Sequence, residues 1–386
     1  MKASKKLLGW IVLLLALIIV SIFGAWQHLV RTEGGSIPWG VLVPSYVFFA
    51  LAATGSSLVN SIFAVFNVQR FKPVIKRGIL LSLMLIIPAG IFIILDLGRW
   101  TQSYNLYFLF HTSSRMAWMG VLYLIFILSL LVELIVVIRE ERMPKWAPLL
   151  MGIIVLVATL TVHTNLGALF GAVNAKPLWS SHLLPLQFIV SALMVGAVLQ
   201  ILFMSATYQL KTGSIPGALQ RLFSSDYRLI VIGLIIINFV LIAIKFIPGL
   251  FSAETSPYVK LLLAGPFSFL FWGLEIVIGG IVPLIILLNR KTRESAGWLF
   301  TASALVVIGV YFSKYDLIIG GQGIGPRFVE GFTPYSLAGA EILLLVGGIA
   351  VCLLLYTLGE LLLPLEPEEK PAWFIFVKRG ATAVSS

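Results

Sequence analysis

The sequence predicts an all-α integral membrane protein of ten transmembrane helices, and three observations carry that expectation. Of the 386 residues, 59% are hydrophobic and only 11% are charged, against about 25% charged in ordinary soluble domains. Mean hydropathy is +1.03, so a water-soluble globule of this composition would lack the polar side chains to cover its surface. Ten stretches are long and apolar enough to cross a hydrocarbon core, at 7–30, 40–67, 78–97, 116–138, 147–170, 182–208, 228–247, 261–288, 296–313 and 336–363; each crossing takes roughly 20 residues.

Taken in order, the first stretch follows Lys2, Lys5 and Lys6 and superficially reads as a signal peptide. Its apolar run continues too far, and its far end, Trp26-Gln27-His28, has no small-residue cleavage pattern, so it is a retained helix. Span 2 opens at Trp39 and carries Pro44 and Gly55; span 3 closes on Asp96, with Arg99 just beyond. Span 4 follows Arg115 and contains Glu133. Span 5 holds His163 and Asn165, and span 6 opens at Trp179 with Pro185 and Gly196. Lys245, Glu275 and Glu341 lie in spans 7, 8 and 10.

Ten crossings put both termini on one side. The N-terminus, the even-numbered loops and the C-terminal tail hold 19 of the 27 Lys and Arg residues, and this positive-inside bias places both termini in the cytoplasm. The tail EPEEKPAWFIFVKRG, with Trp373, Phe374 and Phe376, is expected to lie along that inner interface.

Spans 2 and 6 repeat one another. Each runs from Trp through Pro to Gly with a Pro-to-Gly spacing of 11 positions, at an offset of 141 residues. Four helices separate them, so both run inward, and two parallel four-helix units are expected, spans 2–5 and 6–9, flanked by spans 1 and 10. The corresponding domains are 1–39 (first helix and outer loop), 40–170 (first bundle), 171–313 (second bundle), 314–363 (outer loop and tenth helix) and 364–386 (interfacial tail).

Several function classes fall on counts. One cysteine, Cys352, excludes a disulfide framework, a cysteine-ligated zinc site and an iron–sulfur cluster in this chain. The net charge of +11 is dispersed between apolar runs and reads as membrane orientation, not as a nucleic-acid face. GGQGIG at 320–325 follows no strand and opens no helix, so it is no dinucleotide site.

All four histidines, His28, His111, His163 and His182, fall towards the outer side. Two haems stacked across a membrane need an inner histidine pair as well, so no haem is expected. His163 lies within an apolar run between Thr161, Thr164 and Asn165, and a histidine with a carboxylate such as Asp96 suits proton exchange near neutral pH. Glu133, Glu275 and Glu341 lie within spans, where a central carboxylate costs on the order of 2.5–3.5 kcal/mol. Glu275 is nearest the middle and is expected either to be protonated or to face a polar cavity between helices as a proton-relay element. Glu133 is expected to snorkel or pair with Arg139, Glu341 to join the outer polar cluster, and Lys245 to snorkel to the outer interface.

DLGRW at 96–100, HTNLGALF at 163–170 and KPLWSSHLLPLQFIVSAL at 176–193 resemble the NrfD/polysulfide-reductase membrane subunits. FWGLEIVIGGIVPLIIL at 271–287, IIGGQ at 318–322 and TPYSLAGAE at 333–341 resemble their ten-helix branch, with HybB-like and DsrP-like members. HTSSRMAW at 111–118 lacks the acidic residue of hydrogenase-type members, which tilts the likeness towards the DsrP-like side. The resemblance implies a haem-free subunit in a prokaryotic plasma membrane, binding menaquinone or ubiquinone in a four-helix bundle near the outer face. It also implies electron exchange with a ferredoxin-like iron–sulfur subunit of a larger respiratory complex. By position it nominates Asp96, Arg99, His163 and Asn165 for the quinone pocket, with Trp39 and Tyr46 against the ring. His163, Asp96, Glu275, Glu341 and Glu133 are then the proton-transfer candidates, and proton translocation through Glu275 is a further expectation. The rival reading is a proton-coupled secondary transporter working through Glu275 and Glu133 at a midplane site; the outward clustering of polar residues counts against it.

Overall fold

The structure, a computed structural model, describes residues 5–30, 39–97, 100–173, 176–253, 255–322, 335 and 337–365. Arg99 and the tail with Trp373, Phe374 and Phe376 lie outside the described residues. Ten helices among them are long and apolar enough to cross a membrane: α1 (Leu7–Val30), α2 (Leu42–Val65), α3 (Gln69–Asp96), α4 (Arg115–Ile138), α5 (Ala147–Gly171), α6 (Leu184–Thr212), α7 (Gly217–Phe251), α8 (Phe269–Leu288), α9 (Ala296–Gly320) and α10 (Gly339–Leu362).

Three boundaries differ from the sequence expectation, each for a local reason. α7 begins at Gly217 instead of 228 because RLFSSDYR is amphipathic: Leu222, Phe223 and Tyr227 are buried, and a π-helical turn at Phe223–Tyr227 carries the chain into the span. The eighth stretch is split at Gly265-Pro266, leaving a short helix Ser256–Leu263 before α8. α9 does not stop at 313. A π-helical turn at Asp316–Gly320 extends it and takes Lys314 and Asp316 into the interior, at 1% and 2% exposure.

α2 and α6 form the centre. Every residue of α2 from Leu42 to Ser61 is buried, and hydroxyls along it are satisfied by bonding back along the helix, Ser45 Oγ to Val41 O at 2.7 Å and Thr54 Oγ1 to Ala50 O at 2.8 Å. α2 touches α3 and α5, and α4 touches the same two; α6 touches α7 and α9, with α8 lying against both of these. α1 lies along α10, which also rests on α3.

The two glycines marked by the sequence repeat meet where α2 crosses α6. A Cβ on Gly196 would sit 2.2 Å from Gly55 C, and one on Gly55 would sit 1.9 Å from Ala192 O. Backbones this close have no room for any side chain, which is how small residues join helices in membranes. Above the crossing, Trp39 and Trp179 stack with ring centroids 5.4 Å apart.

At the basic end, Arg77 is not a loop cation. It is 2% exposed, with Nε 2.8 Å from Glu360 Oε1; Lys211 Nζ lies 3.0 Å from Glu360 Oε2. Arg77 Nη1 also donates to Tyr208 Oη at 2.8 Å, and Tyr356 Oη donates to Glu360 at 3.1 Å. One carboxylate thus ties α10 to α3 and α6.

Candidate functional site

A largely apolar cavity of about 600 Å³ lies among α2, α3, α4 and α5 in the half of the protein away from the basic end. Its walls are Ile86, Ala89, Gly90, Ile93, Met119, Ile127 and Leu169, and the α3–α4 connection covers it with Ser103, Tyr104 and Tyr107. Ile94, Leu97 and Met116 line it while being exposed on the apolar flank, so its mouth opens sideways, between helices. This is the size and character of a small-molecule site, largely hydrophobic with a few polar groups fixing orientation. Those groups are Tyr46 of α2 and Tyr123 of α4, whose rings meet edge-on with centroids 6.3 Å apart. The buried Tyr123 hydroxyl approaches that of Tyr46 but makes no well-formed hydrogen bond among the described residues. A buried hydroxyl without a well-formed bond in an apolar wall costs about 1–3 kcal/mol and marks a place for a ligand oxygen.

The predicted residues do not converge on one point. Tyr46 lines the cavity. Asp96 closes α3 one residue from the lining Leu97, within electrostatic reach of Glu341. Asn165 Nδ2 donates to Arg115 O at 3.1 Å and approaches Met119 Sδ at 3.4 Å, so it stands behind the Met119 wall and fixes the start of α4. Trp39 is held at the α2 entrance by Gln322: its N–H donates to Gln322 Oε1 at 2.9 Å, and Gln322 Nε2 donates to its carbonyl at 3.1 Å.

His163 is not in the lining and makes no hydrogen bond to Asp96. It faces α2 and α6, with Nδ1 3.0 Å from Thr54 Oγ1 and its ring 6.2 Å from that of Phe188. Thr54 Oγ1 also donates to Ala50 O at 2.8 Å, and His163 Nε2 makes no well-formed hydrogen bond among the described residues. The reason is angular: His163 and Asn165, two residues apart on a helix, point about 200° from each other, one towards α2 and the other towards α4.

One acidic residue also departs from expectation. Glu133 is 2% exposed and its Oε2 has no hydrogen-bond partner among the described residues, so it neither snorkels nor pairs with Arg139. Glu341 caps α10. Its Oε2 accepts from Ala338 N–H at 2.9 Å and from Tyr335 Oη at 2.6 Å, while Val41 N–H donates to that same phenol at 2.9 Å. Burial and the Glu341 carboxylate raise the Tyr335 hydroxyl well above its ordinary pKa, so it remains a donor.

A second polar centre was only partly foreseen. Glu275 sits in a π-helical stretch of α8, Phe269–Ile281, beside a cavity of about 20 Å³ that is also lined by Lys245, Ser313, Lys314 and Asp316. That volume holds a water molecule. Lys245 thus faces the cavity rather than the outer interface, and both Asp316 carboxylate oxygens lack hydrogen-bond partners among the described residues. Lys314 Nζ lies 4.6 Å from the centroid of the Phe188 ring, the ring that His163 also meets. The one signal in the chain is the polar run Ser313-Lys314-Tyr315-Asp316, which is followed at once by further apolar residues. Among the described residues no group of three His, Cys, Asp or Glu side chains is placed to hold a metal ion.

Comparison with known proteins agrees with this architecture. The chain is 28% identical over 351 residues to an Hdr-like menaquinol oxidoreductase integral membrane subunit of Archaeoglobus fulgidus, covering 86% of each chain. It is 25% identical over 335 residues to a selenate reductase subunit from Mesobacillus selenatarsenatis, covering 75% of each. Over 356 residues it is 27% identical to a probable Ni/Fe-hydrogenase 2 b-type cytochrome subunit of Escherichia coli, covering 87% of this chain and 85% of the relative. The family model described as polysulphide reductase, NrfD, matches residues 29–325. With most of its length matched, the chain belongs to the NrfD family of integral membrane subunits.

Proposed function

We propose that the chain is the quinone-reactive membrane subunit of a respiratory oxidoreductase, exchanging electrons between menaquinol and a ferredoxin-like iron–sulfur partner docked on the outer face, with both termini in the cytoplasm. The observation that carries this reading is the laterally open apolar cavity with the Tyr46 and Tyr123 hydroxyls in its wall, the latter without a well-formed hydrogen bond among the described residues. The menaquinol named for the Archaeoglobus relative supports the substrate class.

In this reading the quinone head lies between α3 and α4 with a ring oxygen on Tyr123 Oη, and Tyr46 packs against it. Quinol oxidation releases two protons with two electrons. Asp96, at the outer end of α3, and Glu341 beside it provide the carboxylate exit to the outer face. His163 is a relay one layer removed: its partner Thr54 lies eight residues along α2 from Tyr46, about 12 Å. Asn165 holds the Met119 wall. Electrons leave through the partner, since Cys352 is the single cysteine of the chain.

The decisive variant is Gly90→Phe. Gly90 lines the cavity, and a Cβ there meets nothing within 4 Å, so the ring fills the cavity without disturbing the helices around it. A quinol analogue titrated into the purified chain and followed by tryptophan fluorescence should bind the native protein saturably and the variant not at all. Undiminished binding to a folded Gly90→Phe chain would overturn the assignment. A second reading, proton translocation through Glu275, is favoured by the buried Lys245, Lys314 and Asp316 around a water-sized cavity.

A further inference from the structure

At the basic end, an open cleft of about 650 Å³ lies between the start of α7 and the α8–α9 connection, lined by Arg221, Ser224, Ser225, Arg228, Arg293 and Glu294. Three guanidinium groups face one carboxylate there, an excess of two positive charges. Arg228 is fixed in place: its Nε donates to Ser224 O at 2.7 Å and its Nη1 to Leu287 O at 3.1 Å. Those bonds use the guanidinium's inner edge and hold the group in position ahead of any ligand, which reduces the ordering cost of binding an anion. The exposed Arg221 makes no ion pair among the described residues, and Arg293 reaches only the exposed Glu294, at 3.5 Å.

The cleft adjoins an exposed apolar strip. Next to Arg228, Leu229 is 59% exposed, and Ile285 and Leu288 of α8 are 61% and 58% exposed. A ligand with an anionic head in the cleft and apolar chains along α7 and α8 would satisfy both surfaces, whereas a soluble anion would leave the apolar strip unused. From this juxtaposition we infer that the cleft is a binding site for the phosphate headgroup of an anionic phospholipid in the leaflet at the basic end. It lies at the opposite end of the chain from the quinone cavity and stands independently of that reading. Basic pockets between transmembrane helices recognise phospholipid headgroups by this combination of charge and lateral access.

The test uses the full chain purified in a neutral detergent. Phosphatidylglycerol, phosphatidylcholine and inorganic phosphate are added separately, and retained lipid is read by native mass spectrometry and melting temperature. Phosphatidylglycerol should be retained and raise the melting temperature, with phosphatidylcholine and phosphate doing neither. The double variant Arg221→Gln, Arg293→Gln alters only cleft-rim side chains and should weaken phosphatidylglycerol retention roughly 30-fold, the effect of two basic contacts near a membrane surface. Arg228→Lys provides a second variant that keeps the charge but loses the fixed geometry, and it should weaken retention as well. Equal retention of phosphatidylcholine would show an apolar groove only; saturation by inorganic phosphate to the same effect would show a soluble-anion site. Either result, or full retention by the folded double variant, overturns the inference. If stabilisation instead required an acidic redox subunit and no lipid, the cleft would be a protein-docking surface and the inference would fail.

Discussion

Tyr123→Phe separates a ligand-binding hydroxyl from a structural one, because the two roles predict opposite signs. In the native chain the Tyr123 hydroxyl is buried in an apolar wall with only a loose approach to the Tyr46 hydroxyl among the described residues, and leaving such a group without a well-formed bond costs about 1–3 kcal/mol. Removing it should therefore stabilise the ligand-free chain by about 1 kcal/mol, a melting temperature roughly 2 °C higher. The bound state should suffer. A hydrogen bond to a quinone oxygen is worth about 1 kcal/mol net, so the dissociation constant of a quinol analogue should rise roughly fivefold. Both quantities come from one sample series: thermal melting of the detergent-solubilised chain without ligand, then titration followed by tryptophan fluorescence. A melting temperature that falls would mean that the hydroxyl has a structural partner. Unchanged affinity would mean that no ligand oxygen reaches Tyr123, and either result refutes the reasoning.

Other expectations follow from particular contacts. Gly55→Ala places a methyl group against the Ala192 backbone and should destabilise the chain by about 1–3 kcal/mol through overpacking, whereas Gly90→Ala enters open space; comparing their melting temperatures checks this. Arg77→Ala removes the buried partner of Glu360, leaving it the partly exposed Lys211, and should cost about 2–3 kcal/mol, read as loss of the monodisperse peak in size-exclusion chromatography. Glu275→Gln should lower the proton-to-electron ratio of the reconstituted complex in vesicles while leaving quinol-analogue affinity unchanged. An unaltered ratio would remove Glu275 from proton translocation.

Much of the fold is legible in the sequence because a membrane imposes its pattern on each segment separately. Apolar length, basic loops and the repeated Trp, Pro and Gly are local signals, and Gly55 and Gly196 proved to be the crossing point of α2 and α6. The site is less legible because it depends on distant partners. Tyr123 in LYLIF looks like apolar filling, and only the wall built by α3 shows that its hydroxyl lacks a well-formed bond. Arg77 looks like a loop cation until α10 supplies Glu360. Lys314 and Asp316 read as the end of an apolar run, since a π-helical continuation of α9 has no compositional marker. His163 stood out correctly as a buried polar group, but its orientation towards Thr54 depends on helix rotation, which sequence spacing without a known neighbour does not fix.

The Arg77–Glu360 pair also sets a timetable for biogenesis. Its members are 283 residues apart, and at translation rates of about 5–20 residues per second Arg77 precedes its carboxylate by roughly 15–55 s. Throughout that interval α3 must hold its guanidinium at the membrane surface or against a chaperoning partner, because Glu360 arrives only with the last helix. A ribosome stalled before α10 would leave Arg77 without its carboxylate and α3 without its tie to the last helix.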